Sequence, residues 1–268
     1  MPAFLVLAAV VSGVVGVFIS GTGSAAPPVI PAQRVATFPH DQRAFCQGLA
    51  VHKGRIVEGT GRYRQSTLRR VTPESGQVES SVALPADVFG EGITVWQDQI
   101  IQLTWQNGYL IVYDADSLAR EFTISYRNID RSFREGWGIT HDGTHLIISD
   151  GSPYLRFVDP ITWKLVRRLK VKSGRRSVRK LNELEFVNGE ILANIWYSSR
   201  IARINPKTGS VTGWVELKTL QPRSVRHNNE AVFNGIAWDA EHRRLYVTGK
   251  LWPELHQITF DGLPTTTD

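Results

Sequence analysis

The 268-residue chain has one cysteine, one methionine and, past its first twenty residues, no apolar run of membrane-spanning length. A single thiol, Cys46, excludes an intramolecular disulfide and any multi-cysteine metal site. Cys46 itself is read as a small packed residue rather than a nucleophile. No stretch shows a sustained helical stripe, and no G-x-S-x-G motif marks a serine hydrolase. The formal charge of +6 is too modest to imply nucleic-acid binding.

Aromatic residues are what the chain has in quantity, with eight tryptophans among them. Aromatic side chains favour strands, so the composition points to an all-β protein. The apolar run Phe4–Ser20, the small residues up to Ala26 and the proline-bearing stretch 27–33 divide the N-terminus into three parts. Residues 1–26 have the form of a signal peptide or membrane anchor, 27–33 of a linker, and 34–268 of the folded domain. The expectation is therefore an exported protein, periplasmic or secreted. Its mature domain should be soluble and monomeric, or be held at a membrane by the first segment.

Internal repeats organise the rest. Strand starts led by Gln47, Glu91, Trp137, Asn182 and Asn234 recur at spacings of 44, 46, 45 and 52 residues. Each is followed by an alternating segment that ends in a turn, as in LRFVDP (155–160) and IARINP (201–206). Five units of this length, built of short strands, predict a five-bladed β-propeller. The last unit lacks chain for an outermost strand, so residues 34–38 are expected to complete it and close the ring. The basic stretch 170–180 is expected as a solvated loop between blades 3 and 4.

Propeller geometry then predicts a site. In each blade the start of the innermost strand and the end of the returning strand share one channel mouth. The starts place Gln47, Glu91, Trp137, Asn182 and Asn234 there. The returning ends add Trp105, Trp196 and Lys250, and Phe45 and Phe89 stand two residues ahead of Gln47 and Glu91. Aromatic walls around a few polar groups are the usual form of a small-ligand site. Glu185, Asp150 and Asp159 are read instead as turn or network residues.

Several motifs on these strands carry a family resemblance: FPHD (38–41), FCQGL (45–49), FGEGI (89–93), QLTW (102–105), EGWG (135–138), LNELE (181–185), NIW (194–196) and TGKLW (248–252). In consistent order they resemble the glutaminyl-peptide cyclotransferases of the plant and bacterial type. One departure is Cys46, where that family usually carries threonine. The resemblance implies a five-bladed propeller that converts the N-terminal glutamine of peptides or proteins to pyroglutamate with release of ammonia, without metal or cofactor. It also implies Glu91 as general acid/base, Gln47 as a substrate holder, and Phe45, Phe89, Trp105, Trp137 and Trp196 as pocket walls. Lys250 and Asn182 can donate to the developing oxyanion. Two rivals use the same mouth differently. Glu91, Asn182 and Asn234 could hold calcium as in lactonase-like propeller hydrolases, or the ring could be a non-catalytic peptide binder.

Overall fold

The computed structural model describes residues 26–264; the expected leader, up to Ala25, lies outside the described residues. Strands β1 (Val29–Pro31) and β2 (Gln33–Pro39) precede the repeats. Blade 1 consists of β3 (Cys46–His52), β4 (Arg55–Thr60), β5 (Thr67–Val71) and β6 (Val78–Ala83). Blade 2 is β7 (Gly90–Trp96), β8 (Gln99–Thr104), β9 (Tyr109–Asp114) and β10 (Arg120–Ser125), followed by one helical turn, α1 (Tyr126–Ile129). Blade 3 is β11 (Ile139–His141), β12 (Leu146–Ile148), β13 (Tyr154–Val158) and β14 (Leu165–Lys170). A hairpin of β15 (Lys172–Ser173) and β16 (Arg176–Ser177) leads to blade 4: β17 (Leu181–Val187), β18 (Glu190–Ile195), β19 (Arg200–Ile204) and β20 (Val211–Glu216). Blade 5 is β21 (Phe233–Asp239), β22 (Arg244–Gly249) and β23 (Glu254–Thr259).

The first strands of the blades pack in a closed circuit, β3 on β7, β7 on β11, β11 on β17, β17 on β21 and β21 on β3. They and the second strands are largely buried, whereas outermost strands such as β6 and β10 face water. Strand alternation explains how the blades stack, because successive residues point to opposite faces of a blade. Ile100 and Ile101 enter different apolar clusters, as do Ile191 and Leu192. The described residues form five such clusters, each seated between two neighbouring blades, the fifth joining Ala237 and Tyr246 to Leu49 and Ile56.

The ring closes as the repeat pattern requires: β2 pairs antiparallel with β23 and supplies the fourth strand of blade 5. Two segments differ from expectation. Residues 27–33, expected as a linker, contain β1, which pairs in parallel with β20 as a fifth strand of blade 4. The N-terminal chain thus ties the edges of two adjacent blades. Within 170–180, expected as a bare loop, β15 and β16 form a two-residue ladder. Both are short edge elements whose backbone pairing overrides a polar or proline-rich composition.

Candidate active site

Four of the five inner strands break register at their first residues. The shifts fall at Cys46/Gly48, Gly90/Ile93, Leu181/Leu184 and Phe233/Ile236. Such bulges re-aim side chains at strand ends, and they contain Gln47, Glu91, Asn182 and Asn234. In blade 3 the equivalent residue, Trp137, lies just ahead of β11. Gly92 lets the bulge sit this close to its neighbour. A β-carbon there would lie 2.6 Å from the Trp137 carbonyl oxygen, which instead accepts the Gly92 N–H at 2.8 Å.

Hydrogen bonds bridge every blade junction at this mouth. The Gly90 N–H donates to Ser66 Oγ, and Ser149 Oγ–H to the Asn182 carbonyl. The Gly235 N–H donates to Asn194 Oδ1, and Asn234 Nδ2 to the carbonyls of Cys46 and Gln47. With the Gly92–Trp137 bond these complete a circuit that holds the bulges in place. Where the other blades have Gly48, Gly92, Gly138 and Gly235, blade 4 has Glu183. Its carboxyl reaches across the channel to accept the Leu49 N–H of blade 1 at 3.4 Å. Its side chain occupies the axis, and burial pushes its pKa well up.

Nine of the ten residues expected at the mouth, Phe45, Gln47, Phe89, Glu91, Trp105, Trp137, Asn182, Trp196 and Lys250, line one cavity of about 280 Å3. Two groups of aromatic rings line it. One runs Phe45–Phe89–Trp105, with centroids 6.2 and 5.6 Å apart, and the other Trp137–Trp196–Tyr197, at 5.5 and 4.6 Å. Gly151, at φ +74°, supports the second wall, since a β-carbon would strike the Trp137 ring at 2.7 Å.

Glu91 lies at the base of the cavity and is 5% exposed. Gln47 Nε2 donates to its Oε1 at 3.1 Å. Burial raises the Glu91 pKa well above the ordinary carboxyl range; the Lys250 charge opposes this and the Glu135 charge adds to it. Lys250 is lowered by burial in turn, with the Glu91 charge acting the other way. Its Nζ stands 4.6 Å above the Phe45 ring, a cation–π contact that holds the amine over the cavity. Three polar atoms here are buried without a partner: Gln47 Oε1, Trp137 Nε1 and Asn182 Oδ1. Such groups are costly to bury unpaired, and a bound ligand would satisfy them.

Asn234 does not line the cavity, because its amide is turned to the backbone of blade 1. Glu91, Asn182 and Asn234 therefore do not converge on one point in it. Cys46 is fully buried among Leu49 and Tyr246 in the cluster between blades 5 and 1, where burial drives its thiol pKa well up. Asp150 pairs with Arg156, and Asp159 accepts turn N–H groups. Glu185 is half-buried away from the cavity, where its carboxyl accepts from Thr140 Oγ1 and the Trp238 N–H and desolvation raises its pKa to about 8. The cavity also has lining residues that the repeat pattern did not mark: Arg62, Tyr197, Asn229, Glu230 and Val232. Tyr197 directly follows the marked strand end Trp196, Arg62 lies two residues past the end of β4, and Glu230 belongs to the longest inter-blade connection.

Fold and cavity together define a five-bladed propeller with an aromatic cavity at one mouth that holds a buried carboxyl and a lysine. The family model of glutamine cyclotransferase matches residues 6–260, and the chain belongs to that family. It is 41% identical over 228 residues to the glutaminyl-peptide cyclotransferase of Arabidopsis thaliana, covering 84% of this chain and 69% of that relative. The crystal structure of Myxococcus xanthus glutaminyl cyclase is similar at a TM-score of 0.80 and 38% identity, covering 88% of this chain and 98% of that one.

Proposed function

We propose that the protein converts an N-terminal glutamine of peptides or proteins to pyroglutamate with release of ammonia, with Glu91 as the proton-transfer group. The observation that carries this is a buried, protonatable carboxyl at the base of a small aromatic cavity whose remaining polar atoms lack partners.

The reaction joins the α-amine nitrogen to the γ-amide carbon and breaks that carbon's bond to the amide nitrogen. Aromatic walls hold the flat amide and the folded side chain together, recovering orientational advantage. Attack by the neutral amine leaves a proton too many on its nitrogen and a negative charge on the γ-oxygen. The Glu91 carboxylate accepts that proton and then delivers it to the departing nitrogen, which leaves as ammonia. A carboxyl raised by burial lies closer to the amine's own pKa, so neither transfer is steeply uphill. Lys250, Asn182 and the free Trp137 Nε1–H are the donors available to the oxyanion. Gln47 orients Glu91 through one end of its amide and offers its unpartnered oxygen to the substrate amine. None of these steps is assigned to a metal ion, so turnover should survive chelation.

The test is to incubate a chain beginning at Pro27 with a glutamine-initiated peptide and follow loss of one ammonia per peptide by mass spectrometry. Binding without ammonia release would favour the non-catalytic reading instead. The apolar segment 4–20 supports export of the enzyme; fractionation of the full-length protein in its own cells checks this.

A further inference from the structure

The spacing of 52 residues before the fifth unit reflects a long connection from Leu217 to Val232, between β20 and β21. Its far end forms part of the cavity rim through Asn229, Glu230 and Val232. That end is anchored from below. Trp252 Nε1 donates to the Ala231 carbonyl at 3.0 Å, and the Lys250 N–H to the Val232 carbonyl at 2.9 Å. The Glu230 N–H is bound by Asn228 Oδ1 at 3.0 Å. From this fixed backbone the Glu230 side chain reaches over to blade 1, where its Oε2 pairs with Arg62 Nη2 at 2.7 Å. Arg62 is held from its own side. Its backbone sits at φ +86°, in the left-handed region that non-glycine residues seldom adopt, and its guanidinium lies 4.6 Å over the Phe45 ring.

We propose that the Arg62–Glu230 pair reads the charge of the residue that follows the N-terminal glutamine. The inference rests on the cyclotransferase reading of the cavity. The reacting amine and amide must lie beside Glu91 at the buried end of the cavity, and Arg62 and Glu230 line the same cavity at its exposed end. The peptide therefore leaves by the open rim, past these two side chains. Both are partly exposed, at 33% and 61%, and an ion pair so exposed contributes little to stability and is easily exchanged. A basic second residue can take Glu230 as its partner, and an acidic one can take Arg62. With both present the two preferences offset each other, and the enzyme tolerates either sign. With one removed, the other is left uncompensated at the exit.

The experiment measures kcat/KM for Gln-Lys, Gln-Glu and Gln-Ala peptides with the wild type, Glu230→Gln, Arg62→Gln and the double variant. The Lys-over-Glu ratio should fall about two- to fivefold in Glu230→Gln and rise by a similar factor in Arg62→Gln, the range of a partly exposed ion pair. The double variant should return towards the wild-type ratio. The change should sit mainly in KM and shrink in ~0.5 M salt, where the screening length is only a few ångströms. A ratio unmoved in both single variants, or moved in the same direction in both, overturns the proposal. If the wild type fails to cyclise even Gln-Ala, the reading of the cavity itself falls, and this proposal with it.

Discussion

Gln47 and Glu91 meet across the junction of blades 1 and 2, the Gln47 Nε2–H donating to Glu91 Oε1 at 3.1 Å. Each belongs to the bulge at the start of its own inner strand, so the contact depends on both register shifts. A donor aimed at a carboxylate favours the charged form. Replacing Gln47 with leucine removes that donor and should raise the Glu91 pKa further. Because Glu91 must be ionised to accept the first proton, the acidic limb of the kcat/KM profile should move to higher pH. An unmoved limb would mean that Gln47 does not tune Glu91.

Glu91→Gln keeps the shape and a hydrogen-bonding group but cannot shuttle a proton. The expected loss in kcat is about 100- to 10,000-fold, the usual contribution of a positioned acid–base group. Thermal stability should hold or rise, since a buried ionisable group is replaced by a neutral one. Turnover near the wild-type rate in a folded variant would remove Glu91 from the mechanism.

Lys250 affects the same carboxyl from the other side, its charge opposing the rise caused by burial. In Lys250→Met the opposition disappears, so the acidic limb should again shift upward. A donor to the oxyanion is lost as well, which should lower kcat by about 100- to 1,000-fold. A pH profile of the surviving activity separates the two effects, since only the electrostatic one moves the limb.

Much of this was legible in the sequence because propeller strands obey simple positional rules. Five in-phase strand starts gave the ring, and the returning ends that share their mouth marked Trp105, Trp196 and Lys250. Those rules identify a strand end without saying which way its side chain turns. Asn234 occupies the same repeat position as Glu91, yet its amide faces the Cys46 and Gln47 carbonyls rather than the cavity. Glu183 fills the axis at a position the other four blades give to glycine, a single exception within an otherwise regular pattern. Arg62 and Glu230 lie on irregular connections, where periodicity carries no information. The strand Val29–Pro31 is too short and too rich in proline to register as one.

The double edge pairing by the N-terminus makes a prediction about truncation. A chain starting at Gln33 loses β1, a three-residue parallel pairing on blade 4, with the flanking bonds of Pro28 and Ala32, and should melt within a few degrees of one starting at Pro27. A chain starting at Asp41 loses β2 as well, leaving β23 as an unpaired edge of blade 5. Such an edge invites pairing with other chains. That shorter chain should aggregate or melt far lower, as read by light scattering and calorimetry.

Blade 1 holds a buried charge network that makes stability respond to pH. Glu58 is bound by Arg69 through two nitrogens, at 2.9 and 2.7 Å, and by His40 Nε2 at 3.1 Å. His40 also binds the Trp252 carbonyl of blade 5 through Nδ1 at 2.7 Å. Burial alone would raise the Glu58 pKa, but the His40 and Arg69 charges override it and bring it to about 2. Burial would likewise lower His40, yet Glu58 holds it above its usual 6.5. The stability due to Glu58 is thus full above its unfolded value of 4.5 and lost as pH falls through the range down to about 2. The stability due to His40 is full below 6.5 and lost as pH rises through its elevated folded value. Glu58→Gln should cost on the order of 3 kcal/mol at neutral pH, since it leaves the buried Arg69 with Asp41 alone and His40 with no charged partner. With its partner gone, the His40 imidazole should fall below its usual pKa, which NMR titration measures. Melting temperature against pH should lose the acid-side decline due to Glu58, and a variant whose profile overlays the wild type would show that this network contributes nothing.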